Sequence, residues 1–572
     1  MSDPDRYENW TKEALIERIK QLEARGNHAK NFVSEADLSS PTGLKNDATT
    51  TVLSVAPGSE APNSLEKKKN RLGQAMSKRK IDISKWSTRY IALKLAYLGK
   101  RYGGFEHQAS SELPTIESEL WKALTISRLI TPEDTTVVDF SCCDYSKCGR
   151  TDRGVSSFGQ VIGLRVRSKR PQATAKKPRL EGEVAEQSAD DDGVSVEADV
   201  RGGDASEQQQ QVPAWDHIRD EFEYCKMLNR LLPEDIRILA WCPSPRPEFS
   251  ARFSCRERQY RYFFTQPAFS PLPSACAVAG GQGAPREGWL DISAMQKAAK
   301  LFEGEHDFRN VCKIDPSKQI TNYRRRIYDS YIEEVTDARP ILPYLDGAAF
   351  SATVSEDSDK SSWPKVYSFN VNGTAFLWHQ IRHMVAILFM VGQGLENPSI
   401  VSTLLDVEKT PRRPMYAMSD EVPLVLWDCI FPELDEQGNG VNRADVMDWI
   451  YVGDDDLRAK YGVKGVMDVL WEGWRSKMMD ELLSSRLMGV VAAQGKDVRT
   501  RLLVEQGGDD DKKKLGGKPR LYSGGNTWLS SGAYVPLLKR QLQMSPAEQN
   551  EKYAVKMGYG SSAEMKAAKG YR

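Results

Sequence analysis

The residues best suited to chemistry lie in one short stretch of the chain, KCGRTDRGVSSFGQV. Gly149 and Gly154 bracket a tight loop in which Asp152 stands between Arg150 and Arg153. An ionised carboxylate held in such a loop has the chemistry of a nucleophile or of a general base. A surface aspartate beside arginines is also an ordinary salt bridge, and the loop residues alone leave both interpretations open.

The charge pattern around this loop favours a phosphate-binding surface. Over 572 residues the chain has 79 Lys and Arg and 79 Asp and Glu, so its net charge indicates no partner. From Tyr145 to Arg170, however, seven residues are basic and one is acidic, whereas residues 181–210 contain ten acidic residues and one Arg. A basic stripe in a folded region is typical of a phosphate binder, and a solvated face is the alternative.

Several classes of protein are disfavoured by composition. The N-terminal sequence MSDPDRYENW lacks the apolar core of a signal peptide, and the longest strongly apolar run, Met384–Val391, is too short to span a bilayer. The nine cysteines are scattered without a C-x-x-C pair, as in reduced intracellular proteins. His379 and His383 have the spacing of a zinc-peptidase helix, but Gln380 stands where that chemistry needs Glu. We therefore expect an intracellular, metal-free protein without a membrane span.

The elements that must position the loop form an α+β pattern. Alternating apolar residues predict a strand at YIALKLAY, before the loop, and another at FGQVIGLRV, directly after it. Helical spacing marks TIESELWKAL, with Thr115 as N-cap, and AFLWHQIRHMVAILFMVGQG is apolar nearly all round, which predicts a buried helix. Strands and helices alternate without the long crossovers of a doubly wound sheet, so we expect helices on one side of a mostly antiparallel sheet.

The loop sequence GRTDRGVSSFGQV closely resembles the catalytic loop of TruA-type pseudouridine synthases, which is G-R-T-D-x-G-V followed by a strand containing Gln. The resemblance continues in order from about residue 89 to 430, through LAYLGKRYGGFEHQ, MLNRLLPEDIRIL, FSARFSCRERQYRY, GEHDFRNVCK and VNGTAFLWHQIRHMVAILFMVGQG. CGRTDRGVSSFGQV, MLNRLLPEDIRILAW and AFLWHQIRHMVAILF are most similar to the eukaryotic branch that modifies positions 38 and 39 of the tRNA anticodon stem-loop. The resemblance implies isomerisation of uridine, in which the C1′–N1 bond breaks and uracil rejoins through C5, without a cofactor, metal or guide RNA.

The resemblance assigns roles to individual residues. Asp152 would act at C1′ or C2′ of the target ribose, and Arg382 would pair with it and keep it charged. Tyr260 would stack on the extruded base and offset part of the few kcal/mol that extrusion costs. Arg150 would fill the space that the base vacates, and Arg252 would be another arginine of the cleft. An ordinary cross-strand aromatic and a generic surface arginine are the alternatives for Tyr260 and Arg252.

Further RNA contacts are expected from Lys147, Arg153 and His379, because phosphate contacts position a bound RNA. Weaker candidates are other basic residues of the same segments: Lys94, Arg165, Arg167, Arg256, Arg258 and Arg261.

The resemblance also implies the fold, a pair of ferredoxin-like halves whose sheets join into one mainly antiparallel sheet with a central catalytic cleft. The chain then divides into four regions. They are an N-terminal helix with a disordered basic linker (1–85), a first catalytic half (86–235), a second catalytic half (236–432) and a C-terminal extension (433–572). Two insertions are expected within the halves, at about 168–213, where few apolar residues are available for a core, and at about 338–364.

The sequence therefore predicts a guide-independent tRNA pseudouridine synthase that acts in the nucleus and cytoplasm. A homodimer is expected, because bacterial members of the family bind one tRNA across two subunits. One alternative is a multisite synthase of the same family that acts on tRNA and small nuclear RNA. The other is a non-catalytic RNA-binding factor, which would be expected to have lost Asp152, Tyr260 or Arg382. The basic cluster at 67–80 suits either nuclear import or RNA contact.

Overall fold

A ten-stranded sheet forms the frame of the molecule. Its strands, numbered in chain order, are β1 Ser87–Tyr97, β2 Ser146–Lys147, β3 Ser156–Ser168, β4 Ile236–Cys242, β5 Glu257–Gln266, β6 Gly304–Asp307, β7 Arg324–Glu334, β8 Lys365–Gly373, β9 Leu424–Ile430 and β10 Ile450–Tyr451. Across the sheet they follow the order β10-β4-β1-β3-β9-β5-β8-β7-β6, and β2 pairs with β3. Neighbours are antiparallel, except that β3 and β9 run parallel. The predicted mainly antiparallel α+β sheet is confirmed.

The computed structural model describes residues 86–171, 215–268, 288–338, 364–435, 440, 442–494, 520–524, 528–530 and 534–571. All of them belong to one unit, Asp82–Arg572. The predicted N-terminal helix and basic linker lie outside the described residues, as does nearly all of both predicted insertions.

The α-helices follow the sequence signals closely where those signals are strong. Within the described ranges they are α1 Ile116–Ile126, α2 Tyr224–Asn229, α3 Ala251–Ser254, α4 Ile292–Lys300, α5 Gln380–Gly392, α6 Ile400–Leu405, α7 Leu457–Tyr461, α8 Val466–Ala493, α9 Pro546–Lys556 and α10 Ser562–Lys569. Thr115 caps α1 as predicted, in a capping box with Ser118. Every residue of α5 is buried. Among the described residues, no helix has both the length and the apolar character needed to cross a membrane.

The sheet carries two large hydrophobic clusters. One joins β1, β3 and β4 to α1, through residues such as Leu93, Ile162 and Leu120. The other joins β5 and β8 to α4 and α5, through residues such as Tyr262 and Phe389. Since β3 and β9 pair between them, the two clusters lie along one continuous sheet.

Parts of the C-terminal extension pack onto this frame. The strand β10 adds to the edge of the sheet next to β4, and Arg443 binds the carboxylates of Glu257 and Asp329. A further pair of strands, β11 Arg520–Tyr522 and β12 Trp528–Ser530, forms a small separate sheet. The side chain of Gln393 accepts from the backbone N–H of Tyr522 at 2.8 Å and donates to its carbonyl at 3.0 Å. The extension therefore contributes to the packed structure, a role that the sequence did not indicate.

Candidate active site

The loop that carries Asp152 joins β2 to β3 and is fixed by the segment that follows β1. The hydroxyl groups of Thr151 and Tyr97 are hydrogen-bonded at 2.8 Å. The carbonyl of Thr151 accepts from the N–H of Phe105 at 3.1 Å, and both aromatic residues are buried. The residue directly before Asp152 is thus held by the first hydrophobic cluster, while the side chain of Asp152 remains 27% exposed.

Two glycines allow neighbouring groups to approach this loop closely. Gly104 has φ +116°, and a Cβ there would lie 3.0 Å from the carbonyl oxygen of Thr151 and 3.3 Å from the nitrogen of Arg153. Gly154 has φ +80°, and a Cβ there would lie 2.6 Å from Cγ of Glu421. A side chain at either position would adopt an unfavourable backbone conformation and press on its neighbour. The tight turn expected around Asp152 is confirmed at Arg153 and Gly154.

A buried glutamine fixes the other end of the loop. Gln160 lies on β3 with no exposed surface. Its Oε1 accepts from the N–H of Gly149 at 3.2 Å, and its Nε2 donates to the carbonyl of Gly149 at 2.9 Å. One amide side chain thus satisfies both backbone groups of a residue three positions before Asp152, which explains why a Gln-containing strand follows the loop.

We expect Gln160→Leu to lower the free energy of unfolding by about 1–3 kcal/mol, because it leaves backbone groups of Gly149 without their partner. Denaturant titration measures this change. The matched control is Gln259→Leu, at a half-buried position on β5 where the amide donates to Glu257, and it should change stability by less than about 0.5 kcal/mol. Equal stabilities of the two variants would contradict the structural role of Gln160.

Two ring nitrogens lie next to the carboxylate of Asp152. Nε1 of Trp378 donates to Oδ1 at 3.2 Å, and Nε2 of His379 lies 3.4 Å from Oδ2. The side chain of Asp152 is 27% exposed. Burial raises its pKa to about 6, against the opposing effects of Arg382 and of the Trp378 hydrogen bond. At neutral pH most of the molecules carry an ionised carboxylate, which is basic for an aspartate.

His379 contacts Asp152 as a neutral ring. Burial and the positive charges of Arg382 and Lys313 lower its pKa to about 4. The contact at Oδ2 is therefore a polar contact and not an ion pair at neutral pH. One turn along α5, His383 is buried and lies 2.9 Å from Nη1 of Arg413. The two histidines therefore have separate side-chain partners.

The predicted pairing of Arg382 with Asp152 is wrong. Its Nη2 donates to Oε2 of Glu421 at 2.6 Å, and its Nε donates to the carbonyl of Ser419 at 2.8 Å. Both acceptors belong to the loop that precedes β9, and this loop lies against Gly154. Both of these hydrogen bonds of the Arg382 guanidinium group go to this loop. Arg382 therefore lowers the pKa of Asp152 through its positive charge and not through a direct contact.

Tyr260 lies on β5 beside the base of the loop. Its half-buried ring meets Phe376 edge-on, with ring centroids 5.2 Å apart. Burial raises the pKa of its hydroxyl well above the ordinary value, and Cys429 and Cys148 add to this effect. The phenol is therefore neutral under all physiological conditions. Its stacking on a base stays a prediction.

The basic residues predicted to contact RNA fall into two groups. Arg150, 51% exposed, pairs with Glu106 at 3.0 Å, and Arg153 and Arg252 are exposed. Lys147 is enclosed by Glu106 at 3.0 Å and Glu117 at 2.7 Å. The exposed arginines are available to a polyanion, whereas Lys147 would have to leave two carboxylates to reach one.

Two of the weaker RNA-contact candidates make internal contacts in the fold. Lys94 is buried and pairs with Asp428 at 2.7 Å. Arg258 donates to the carbonyl oxygens of Cys148, Arg252 and Thr374 at 2.7–3.1 Å. These bonds tie the segment before the Asp152 loop to α3 and to the end of β8. RNA contact by Lys94 and Arg258 stays a prediction.

Three buried cysteines meet behind the loop, although they are far apart in the sequence. The sulfur atoms of Cys148, Cys255 and Cys429 lie within 4.8 Å of one another. Three thiols are one ligand short of a structural zinc site, and no further His, Cys, Asp or Glu of the described residues joins the group. The thiols pack in the small core around Val161 and Leu426.

Three polar side chains of the site were not singled out by the sequence. They are Trp378, Lys313 and Glu421, which contact or surround Asp152 and Arg382. The position of Trp378 directly before His379, at the start of a helix expected to line the cleft, was the available signal. Glu421 and Lys313 lie in loops without a distinctive pattern.

Comparison with known proteins gives several similarities. Residues 298–432 match the family described as tRNA pseudouridine synthase. A tRNA pseudouridine(38/39) synthase of Saccharomyces cerevisiae is 36% identical over 433 residues, which are 75% of this chain and 73% of that protein. Proteins of the same name from Mus musculus and Homo sapiens are 38% and 37% identical over 73% and 64% of this chain. The chain spans 66% and 60% of the lengths of these two relatives.

Proposed function

This chain belongs to the TruA-type tRNA pseudouridine synthase family, and from that premise we propose that it converts uridine to pseudouridine in the tRNA anticodon stem-loop. The positions proposed are 38 and 39, because these stand in the names of the similar yeast, mouse and human proteins. The observation that carries the proposal is the partly exposed carboxylate of Asp152, which accepts a hydrogen bond from Trp378 and lies beside His379.

Asp152 is the residue that acts on the ribose of the target uridine. Its raised pKa leaves it ionised at neutral pH and makes it more basic than an exposed aspartate. An ionised carboxylate can attack C1′ or remove the proton from C2′, and either step leads to cleavage of the C1′–N1 bond. The released uracil turns and forms a bond from C5 to C1′, as the carboxylate leaves C1′ or its proton returns to C2′. C5 then loses its proton and N1 gains one, so the product is an isomer of uridine and no cofactor is needed.

Tyr260 and Arg150 assist the extrusion of the target base from the RNA helix. Unstacking a nucleotide costs a few kcal/mol, and an aromatic ring that stacks on the extruded base offsets about 1–3 kcal/mol of that cost. The half-buried ring of Tyr260 is suited to this contact. Arg150 is exposed apart from its ion pair with Glu106, and its planar group can fill the gap in the RNA once that pair opens.

We also propose that the enzyme works without a guide RNA and as a homodimer built from subunits with two ferredoxin-like halves. The arrangement of two hydrophobic clusters along one sheet supports the two halves. In this arrangement the loop of Asp152 comes from the first half, whereas Arg382 and Trp378 come from the second. Sedimentation analysis of the full chain, alone and with tRNA, tests the dimer.

Incubation of the full chain with unmodified tRNA transcripts tests the function directly. Chemical mapping of pseudouridine should detect product at position 38 or 39 and not at other uridines of the same transcripts. The same mapping on a small nuclear RNA should give no product. Product at many tRNA positions would favour the multisite branch of the family, and no product from a folded preparation would refute the proposed activity.

Activity should decline in acid, because the reaction needs the ionised form of Asp152. With a pKa of about 6, kcat/KM should be nearly constant above pH 7 and fall about tenfold per pH unit below pH 6. The profile is measured by single-turnover assays from pH 5 to 8.5, with tRNA binding and circular dichroism followed over the same range. Constant kcat/KM down to pH 5 would contradict the role given to this carboxylate.

A further inference from the structure

Trp378 occupies a position that packing does not explain. Its side chain is 42% exposed, and it belongs to none of the hydrophobic clusters of the described residues. The polar end of this ring faces inwards, where its N–H donates to Oδ1 of Asp152.

The backbone around Trp378 is rigidly held. Gln380 accepts from the N–H of Leu377 at 2.8 Å, and its own N–H donates to the carbonyl of Leu377 at 3.0 Å. The carbonyl of Trp378 accepts from the N–H of Lys313 at 2.9 Å. His379 follows in the left-handed conformation, with φ 57°. A non-glycine residue with positive φ is unfavourable and is retained where the surrounding structure requires it.

A cation lies over the face of the Trp378 ring. Nζ of Lys313 lies 4.2 Å from the centroid of the Trp378 ring, a geometry in which the ammonium is attracted to the π face. The His379 ring lies at 4.7 Å on a tilted plane. These contacts restrict the indole to the orientation in which its N–H meets the carboxylate, although much of the ring remains in solvent.

We propose that Trp378 is a positioning residue for Asp152, whose indole N–H fixes one carboxylate oxygen so that the carboxylate faces the ribose of the bound nucleotide. Each carboxylate oxygen can accept two hydrogen bonds, so the bond from Trp378 leaves capacity for the substrate. A bond to the charged form also favours ionisation, which agrees with the effect of Trp378 on the pKa of Asp152. This inference rests on the proposed function of Asp152.

The test compares Trp378→Phe with the wild-type full chain on an unmodified tRNA transcript. Phe keeps an aromatic ring but has no N–H, so kcat should fall about tenfold to hundredfold, as expected for a lost hydrogen bond to a charged group. KM for tRNA should change less than threefold. The acid limb of the pH profile should move to higher pH, because the ionised carboxylate has lost a donor.

The matched control is Trp471→Phe, the same change at a residue of α8 that is 39% exposed, and its kcat should equal that of the wild type. Incorporation of 3-benzothienylalanine at position 378, which keeps the bicyclic shape and replaces N–H with sulfur, should reproduce the loss seen with Phe. Full activity of the benzothienyl enzyme, or an unshifted acid limb in Trp378→Phe, would overturn the positioning role. Failure of the wild type to form product would refute the proposed function instead.

Discussion

Asp152→Asn should reduce the rate of isomerisation at least about a thousandfold, because an amide can neither attack a sugar carbon nor remove a proton from it. The variant keeps the shape of the side chain and an oxygen that can accept from Trp378. Affinity for tRNA should stay within about tenfold, which corresponds to roughly 1.4 kcal/mol, since phosphate contacts come from other residues. Single-turnover mapping of pseudouridine and equilibrium binding of the same transcript measure the two quantities.

The stability of Asp152→Asn separates a catalytic from a structural role. A pKa raised to about 6 in the folded chain, above the unfolded value of about 3.9, means that the native state favours the protonated form. Asp152 therefore contributes to the free energy of unfolding below pH 4, and this contribution is lost as the pH rises through 6. At neutral pH, removal of the charge should therefore leave Tm unchanged or raise it. A lower Tm together with equal losses of activity and tRNA binding would show that Asp152 is structural.

Much of the frame could be predicted from local patterns in the sequence. The alternation in YIALKLAY lies within β1, and FGQVIGLRV lies within β3. The N-cap of α1 was found at Thr115 because a hydroxyl before a helical repeat is a local signal. The apolar character of the segment on nearly all sides also predicted the burial of α5. Each of these features depends on residues that are close together in the sequence.

The contacts within the site were less predictable, because they join residues that are far apart in the chain. The family motif predicted that Arg382 lies near Asp152. The ion-pair partner of Arg382 is Glu421, which lies in a loop without a recognisable sequence pattern. The meeting of Cys148, Cys255 and Cys429 likewise depends on the pairing of β3, β5 and β9. Side-chain partners are set by packing in three dimensions, and periodicity does not encode them.

The contacts of the C-terminal extension were also not predictable from the sequence. The backbone of Tyr522 is bound by Gln393, and the N–H of Asp420 donates to the carbonyl of Ser523 at 3.2 Å. Asp420 directly precedes Glu421, so a segment of the C-terminal extension supports the loop that holds Arg382. The C-terminal segment makes these contacts through its backbone groups, so its residue types give little indication of them.

Arg382→Met should lower kcat at least about a hundredfold and also destabilise the protein. The guanidinium group is 8% exposed and donates to both Glu421 and Ser419. Its loss removes a positive charge that favours ionised Asp152, while Glu421, which opposes ionisation, stays in place. The pKa of Asp152 should rise, and the acid limb of kcat/KM should move to higher pH. Stability should fall by about 1–3 kcal/mol, because a half-buried carboxylate is left without its partner.

The double variant Arg382→Met/Glu421→Gln separates the two effects. Removal of the unpaired carboxylate should restore most of the lost stability, since the remaining amide is neutral. It should leave most of the loss in kcat, because the cation near Asp152 is still missing. Recovery of kcat in the double variant would mean that Arg382 serves only to neutralise Glu421. Because the structure pairs Arg382 with Glu421 and not with Asp152, this comparison decides whether the arginine acts on the reaction through its charge or only through the loop that it holds.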